Sequence, residues 1–383
     1  MNDLAIIVTA YNRPDALKIL LSSLSNLRNC ENVPLIISID NHGTDEVNRI
    51  ANEFVWPFGE KEIIIHQEKK GLVKHFIWVG DQTERFEHVI FLEDDLRVSP
   101  ELINFSRQLI EFYENDSDVA AASLYNPPIC EATGCQFYQI QDGYDVYFFQ
   151  QPYWGNIWFR KKWREFDSYL KEYKENKSIL PDGIAGWERS FKKIYIQFLI
   201  EKNKYVVTPR VSLLTNMGYA GEHSPEDGNY LYRRDIMLGS RKYSFCICKN
   251  SMAKYDAFME IIPDSIKRYN ISLKNYDFDV DTKGLRTNYK SPYVLTTRDS
   301  RNAILTFSTN MKPIELSVFL EDKGNGELKL CKVSDILDKS KKHSGLLLCQ
   351  DIQKHYGMGI HTVVYFLKKS FKRFMKRFYH VGC

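Results

Sequence analysis

The first hundred residues alternate between short apolar runs and segments with helical spacing, and this alternation limits the fold more than any other feature of the sequence. The apolar runs cover residues 4–10, 34–40, 61–67 and 88–95, and the helical patterns cover residues 14–27, 41–54 and 71–83. Continuous apolar strands are typical of a sheet that is covered on both faces. The pattern therefore predicts an α/β fold with a doubly wound sheet.

The composition of the chain changes near residue 250. We predict a main domain over residues 1–245 and a smaller accessory α+β module over residues 246–355. In the module, a lysine-rich linker over residues 264–290 precedes three short strands with the sequences AILTFS, ELSVFLE and ELKLCKV.

The last segment, residues 356–383, is a separate basic tail. It has six basic and no acidic residues between positions 361 and 383, and apolar residues recur there at helical spacing. This pattern predicts a basic amphipathic helix that lies on an anionic membrane surface. The alternatives are a terminal helix docked on the core and a calmodulin-like target segment.

Net charge, hydropathy and cysteine spacing argue against several classes of protein. The net charge is +3, which argues against a dedicated nucleic-acid-binding protein. Neither a secretory signal nor a transmembrane helix is expected. The eight cysteines show no paired CxxC spacing, so we expect reduced thiols rather than a zinc site. We expect a cytoplasmic protein that is peripheral on the inner face of the cytoplasmic membrane.

Polar residues follow three of the predicted strands where those strands end. They are Tyr11-Asn12-Arg13, Asp40 and Glu93-Asp94-Asp95. Ligands of doubly wound sheets bind beyond the carboxyl ends of the strands. Three consecutive acids repel one another unless a cation is present, and oxygen ligands suit Mn²⁺ or Mg²⁺. Such an ion would bridge a diphosphate; the alternative is a solvated loop end.

Several motifs in order resemble the GT-A glycosyltransferases. These motifs are TAYNRP, ISIDNHGTDE, FLEDDLRVSPELINF, WGNIWFRKKW and PRVSLLTNMGYAGEHS. Within that group the sequence is most similar to the N-acetylglucosaminyltransferase I-like enzymes, whose metal motif is also Glu-Asp-Asp. The resemblance covers about residues 4–225 and implies a GT-A fold, a UDP-sugar donor and a divalent metal ion.

The resemblance implies three donor contacts outside the acidic motif. Arg13 matches a basic residue that contacts the phosphates or base of the donor, and Asp40 matches an acid that reads the uracil or ribose. His75 matches a histidine of the nucleotide pocket. The alternatives are a helix-start residue for Arg13, a turn or cap residue for Asp40 and a packed or surface histidine for His75.

The resemblance assigns the remaining donor and metal contacts to the acidic motif Glu93-Asp94-Asp95 and to one histidine. Asp95 matches the metal ligand, and Glu93 and Asp94 would hold ribose and sugar hydroxyls. His223, in GEHS, would ligate the metal or donate a hydrogen bond to a phosphate; the alternative is a surface histidine.

An inverting transfer also needs a general base that removes the proton of the acceptor hydroxyl. In the similar enzymes this base is an acid, usually Asp, that follows a tryptophan. Glu188 follows Trp187 here and is the first candidate, with Asp182 as the alternative. We expect Trp187, Trp154 and Trp158 to contact the acceptor, although Trp154 and Trp158 are also suited to core packing.

These features together predict a metal-dependent, inverting glycosyltransferase. It would transfer a hexosyl or N-acetylhexosaminyl group from a UDP-sugar to a glycan or lipid-linked acceptor during the synthesis of cell-surface polysaccharide or lipopolysaccharide. One alternative is a sugar nucleotidyltransferase, although the chain has no Gly-rich phosphate loop of the usual types. The other is a non-catalytic scaffold on the membrane surface.

Overall fold

The four apolar runs and three helical patterns at the start of the chain form strands and helices, as predicted. The computed structural model describes residues 3–41, 43–219, 230–324 and 326–340. The first strands are β1 Leu4–Ala10, β2 Leu35–Ile39, β3 Lys61–Ile65 and β4 His88–Glu93. The first helices are α1 Pro14–Leu24, α2 Asp45–Glu53 and α3 Gly71–Asp81.

The elements that follow alternate less regularly. The next strands are β5 Leu96–Val98, β6 Val119–Ser123, β7 Val146–Phe149, β8 Asn156–Phe159, β9 Tyr205–Pro209, β10 Leu214–Asn216 and β11 Lys254–Tyr255. The helices between them are α4 Leu102–Tyr113, α5 Arg160–Lys171, α6 Asp182–Ala185 and α7 Phe191–Glu201.

A nine-stranded mixed sheet forms the centre of the molecule. Its strand order is β11-β7-β9-β6-β8-β4-β1-β2-β3. β1 pairs in parallel with β2 and β4, and β2 pairs in parallel with β3. β8 is antiparallel to both β4 and β6. The carboxyl ends of β1, β2 and β4 therefore lie side by side at one edge of the sheet.

Helices cover both faces of this sheet because successive strand residues point to opposite sides. On β1, Ile6 and Val8 join the core that contains residues of α1, α2 and α4. Ala5 and Ile7 join the second core, which contains residues of α3, α5 and α7. The α/β prediction with a doubly wound mixed sheet is confirmed.

The main sheet continues past residue 245, the predicted end of the main domain. β11 pairs in parallel with β7, so residues 254–255 form its edge strand. A separate four-stranded sheet follows, in the order β12-β13-β15-β14. Its strands are β12 Phe278–Asp281, β13 Tyr293–Thr296, β14 Leu305–Phe307 and β15 Leu328–Lys332, and its helices are α8 Pro263–Lys267 and α9 Glu315–Phe319.

The segment ELSVFLE was predicted as a strand, and this prediction is wrong. Residues Glu315–Phe319 form α9. The alternation of polar and apolar letters in this segment imitates a strand, but Glu315 and Val318 are both buried and lie three residues apart, which is the spacing of one helix face. Because Glu315 is charged but buried, the spacing of the apolar residues alone does not show the helical period.

Two of the predicted features lie outside the described residues. They are the basic tail at residues 356–383 and His223. Within the described ranges, no helix is long and apolar enough to cross a membrane.

Candidate active site

The candidate site is built where β1, β2 and β4 end together. The register aligns Thr9 of β1 with Ser38 of β2 on one side and with Glu93 of β4 on the other. Residues that are directly opposite in a sheet share a face. The side chains of these three residues therefore point to the same face as α3.

Arg13 reaches the acidic motif across the connection from β1 to α1. Pro14 fixes the first turn of α1, and Arg13 immediately precedes it. The Nη1 atom of Arg13 lies 2.9 Å from Oδ2 of Asp95, and its Nη2 atom donates a hydrogen bond to Asp94. The predicted donor-binding arginine and the predicted acids thus meet in one cluster.

Burial determines the electrostatics of this cluster. It raises the pKa of Asp94 to about 6, although the charge of Arg13 acts in the opposite direction. Burial and the neighbouring charge of Asp95 raise the pKa of Glu93 well above its usual range. Glu93, Asp94 and Asp95 are therefore three neighbouring carboxyl groups that an additional positive charge would stabilise.

Asp95 has the free ligand atom that a divalent cation would need. Its Oδ1 atom is buried and has no hydrogen-bond partner among the described residues. Carboxylate oxygens are suitable ligands for Mn²⁺ and Mg²⁺. The described chain contains no group of three or more His, Cys, Asp or Glu side chains that could hold a metal. An ion here would therefore need further oxygen ligands from a substrate or water, which is common for Mg²⁺.

Asp40 holds the loop that leads into α3. Its Oδ1 atom accepts hydrogen bonds from the backbone N–H groups of Asn41 and Lys70, both at 2.8 Å, and its Oδ2 atom accepts one from Gly71 at 2.9 Å. Burial raises the pKa of Asp40, but these N–H groups outweigh it and the net pKa is lowered. Asp40 is therefore an ionised residue that positions this loop; contact with a base or ribose stays a prediction.

His75 belongs to a buried polar cluster next to Asp40. The Oγ atom of Ser38 lies 2.7 Å from Nε2 of His75 and 2.9 Å from Nε2 of His66. The two imidazole rings meet edge to face at 5.1 Å. Burial, with some help from His66, lowers the pKa of His75 to about 4. His75 is therefore a neutral, packed histidine that still lies on the predicted nucleotide side of the sheet.

Both candidates for the general base lie on the segment before α7. Asp182 begins the short helix α6, and Glu188 lies in the connection that follows it. Both side chains are exposed, and neither carboxylate has a hydrogen-bond or ion-pair partner within the described ranges. Arg189 has a φ of +49°, so the chain turns sharply directly after Glu188. Exposure and hydrogen bonding do not distinguish the two acids, so both remain candidates for the base.

The three predicted acceptor tryptophans have different environments. Trp187 and Trp154 are half-buried. Trp158 is 1% exposed and packs against Trp163 and Tyr195 in the core beneath α5 and α7. The prediction that Trp158 contacts the acceptor is therefore wrong. Its apolar neighbours in NIWF form a strand that is buried on both faces, which leaves its ring no exposed surface.

Several further polar residues were not predicted from the sequence. Ser38 and His66 complete the cluster around His75, and His66 directly follows β3, so its position at a strand end was a usable signal. Asn156, the first residue of β8, pairs with Phe91, and its buried Nδ2 atom has no partner among the described residues. Lys192 lies 3.8 Å from the ring centre of Tyr153; only the tertiary fold reveals that contact.

Similarity to known protein families is limited to part of the chain. The family model described as the SPBC1E8.03c C-terminal domain matches residues 15–179, which is less than half of the sequence. No curated protein matches the chain.

Solved structures with bound nucleotide sugars share a distant likeness with this fold. S. aureus TarS 1–349 in complex with UDP-GlcNAc is 14% identical, with a TM-score of 0.39, over 58% of this chain and 60% of that chain. The mannosyltransferase PcManGT from Pyrobaculum calidifontis, in complex with GDP-Man and Mn²⁺, is 12% identical, with a TM-score of 0.35, over 55% of this chain and 57% of that one. The likeness thus spans less than two thirds of either chain.

Proposed function

We propose that this chain is a metal-dependent glycosyltransferase that uses a nucleotide-sugar donor. The observation that carries this proposal is the cluster at the end of β4, where Arg13 meets Asp94 and Asp95 and an oxygen of Asp95 has no partner among the described residues. The cluster lies at the carboxyl edge of a doubly wound sheet, where such folds bind nucleotides. The order of the sequence motifs supports the same function.

The donor side of the reaction would use the charges of this cluster. Asp95 would hold Mn²⁺ or Mg²⁺, and this cation, when bound, neutralises the charge on the leaving diphosphate. Arg13 would add a fixed positive charge beside it. Glu93 shares the face of β4 that points toward α3, and we propose that it contacts the transferred sugar. Asp94, which Arg13 keeps in place, would contact the ribose or a sugar hydroxyl.

The acceptor side would use an acid before α7. Glu188, or Asp182 as the alternative, would accept the proton of the acceptor hydroxyl while the oxygen forms a bond to C1 of the sugar. The bond between C1 and the phosphate oxygen breaks, and the nucleoside diphosphate leaves with that electron pair. A direct displacement of this kind inverts the configuration at C1.

We further propose UDP as the nucleotide and a hexosyl or N-acetylhexosaminyl group as the transferred sugar. The proposed acceptor is a glycan or a lipid-linked sugar of a cell-surface polysaccharide. The proposed location is the cytosolic face of a membrane, and the support for it is the basic tail at residues 356–383, which lies outside the described residues.

Calorimetry with nucleotides tests this function directly. The purified protein is titrated with UDP, GDP, CDP and TDP, each with and without Mn²⁺. We expect heat of binding with UDP and Mn²⁺ together, and much weaker binding with UDP alone. UDP release from UDP-GlcNAc then tests turnover. Absence of binding to all four nucleotides would contradict the proposal.

A further inference from the structure

A pocket lies between α1 and β5, the two elements that lead away from Arg13 and Asp95. Its volume is about 270 Å³, far more than the roughly 10–15 Å³ that a single water molecule needs. The residues that line it are Lys18, Ile19, Ser22, Ser23, Asn26 and Arg97. We propose that this pocket binds a phosphate group of a ligand other than the nucleotide-sugar donor. The inference goes beyond the proposed function and does not depend on it.

The lining of the pocket is positively charged, and its cations are unpaired. Lys18 and Arg97 are both exposed, and neither forms an ion pair or a side-chain hydrogen bond within the described ranges. No acidic residue lines the pocket. Asp15 lies three residues before Lys18 on α1, but no ion pair joins these two side chains in the described part of the chain. One cation from each element, with no acid between them, favours an anionic ligand.

The donor groups of the pocket match the oxygens of a phosphate. A phosphate accepts charge-assisted hydrogen bonds from an ammonium group and, in parallel pairs, from a guanidinium group. The exposed hydroxyl group of Ser22 has no hydrogen-bond partner among the described residues, so it can donate a third bond. The amide of Asn26 already donates to the carbonyl oxygen of Ser22 at 2.8 Å. A neutral ligand would leave both cations uncompensated, so this donor set favours a phosphate.

Buried contacts hold the two sides of the pocket in place. The Oγ atom of Ser23 accepts a hydrogen bond from the N–H group of Val98 at 3.2 Å and donates one to the carbonyl oxygen of Leu20 at 2.8 Å. This side chain therefore joins α1 to β5. β5 also pairs with β10, where Arg97 lies opposite Thr215. A site with fixed walls loses less conformational freedom when it binds a ligand.

The pocket is close to the donor cluster but separate from it. Lys18 is five residues after Arg13, about 7 Å along the axis of α1, and Arg97 is two residues after Asp95, about 7 Å along β5. The guanidinium group of Arg13 is paired with Asp94 and Asp95 and does not line the pocket. A phosphate in the pocket would therefore be a second anion, beside the diphosphate of the proposed donor.

A pair of double variants tests the pocket at equal net charge. Lys18→Gln with Arg97→Gln removes both cations of the pocket. Arg107→Gln with Lys202→Gln is the matched control, because these side chains are also exposed and do not line the pocket. All four positions are on the surface, so we expect both proteins to fold normally, and thermal unfolding checks this.

The measurement is a titration with inorganic phosphate, followed by phosphorus NMR in buffer that contains a metal chelator. We expect the unsubstituted protein and the control double variant to bind phosphate with the same affinity. The pocket double variant should bind about 10-fold more weakly, because two exposed charge pairs contribute on that scale. Calorimetry with UDP and Mn²⁺ should give the same affinity for all three proteins.

Cosedimentation distinguishes two sources of the phosphate group. The vesicles are made of phosphatidylcholine, with or without phosphatidic acid. If phosphatidic acid increases sedimentation of the control double variant more than that of the pocket double variant, the ligand is a phospholipid head group. If the two variants sediment equally while their phosphate affinities differ, the ligand is a soluble phosphate ester.

Three outcomes would overturn the inference. They are equal phosphate affinity of the two double variants, absence of phosphate binding to the unsubstituted protein, and weaker UDP binding by the pocket double variant alone. The last result would make the pocket a part of the donor site. Failure of the proposed function is distinguishable, because it would appear as absence of UDP binding to the unsubstituted protein while the phosphate result remained unchanged.

Discussion

The Nη1 atom of Arg13 lies 2.9 Å from the Oδ2 atom of Asp95, although 82 residues separate them in the chain. The contact joins the segment after β1 to the segment after β4 and partly compensates the charge of three adjacent acids. It also places a cation beside the position where a diphosphate would bind. One ion pair thus connects the stability of this acidic cluster with its proposed chemistry.

Substitution of Asp95 should abolish metal-dependent nucleotide binding. Asp95→Ala removes the only carboxylate of the motif with a buried oxygen that lacks a partner in the described chain. We expect calorimetry to show no increase in UDP affinity when Mn²⁺ is added. The matched control is Asp167→Ala, which removes an acid paired with Lys171 on α5. Mn²⁺-dependent binding that survives in Asp95→Ala would exclude Asp95 as the ligand.

Substitution of the general base should reduce transfer and leave donor binding intact. We expect Glu188→Gln to lower UDP release from UDP-GlcNAc by about 100-fold or more, because a positioned base contributes on that scale. The affinity for UDP with Mn²⁺ should not change, since the exposed Glu188 side chain has no described partner.

Asp182→Asn is the matched variant for the second candidate. If Asp182→Asn causes the large loss of UDP release and Glu188→Gln does not, the base is Asp182. Retained turnover in both variants would contradict an acid of this segment as the base.

The pH dependence of stability should report His75. Burial lowers its pKa from 6.5 to about 4 in the folded protein, so between these values the unfolded chain binds more protons than the folded one. Neutral His75 makes its full contribution to the free energy of unfolding above pH 6.5. This contribution is lost as the pH falls toward 4, and the total loss is about 3 kcal/mol. The groups that face His75 and shift its pKa are His66, Asp40 and Lys70.

His75→Gln should therefore flatten the pH dependence of unfolding. The measurement is urea unfolding at several values between pH 4.5 and 7, with both proteins in the same buffers. The free energies of unfolding should converge as the pH falls, because the variant does not lose the contribution of His75. Parallel curves for the two proteins would show that His75 does not titrate as described.

The strand ends could be predicted from sequence because their signals are local. The run VIFLEDD shows where β4 ends, and the parallel order of the first strands then brings Asp40, Arg13 and the three acids to one edge. Trp158 could not be assigned in this way. A tryptophan in a buried strand and one in a groove have the same local sequence, and only the packing of α5 and α7 distinguishes them.

The accessory module was harder to predict because its interior contains charges. Its buried polar residues include Glu260, Asp281, Arg298 and Glu315, which a pattern of apolar spacing assigns to the surface. Each is paired with a residue distant in sequence, as Arg298 is with Asp281. Pairing of this kind depends on tertiary structure, which is why the spacing of apolar residues predicts a strand where helix α9 forms.

The ion pair between Asp281 and Arg298 gives a test of this charged interior. Nε of Arg298 lies 2.7 Å from Oδ2 of Asp281, and the side chains are 2% and 0% exposed. Asp281→Ala would leave the guanidinium buried without a counter-charge, and we expect it to lower the free energy of unfolding by about 3–5 kcal/mol. Glu53→Ala breaks the exposed pair with Arg49, also 2.7 Å long, and should cost no more than about 1 kcal/mol. Urea unfolding measures both, and equal costs would show that the Asp281 pair is hydrated rather than buried.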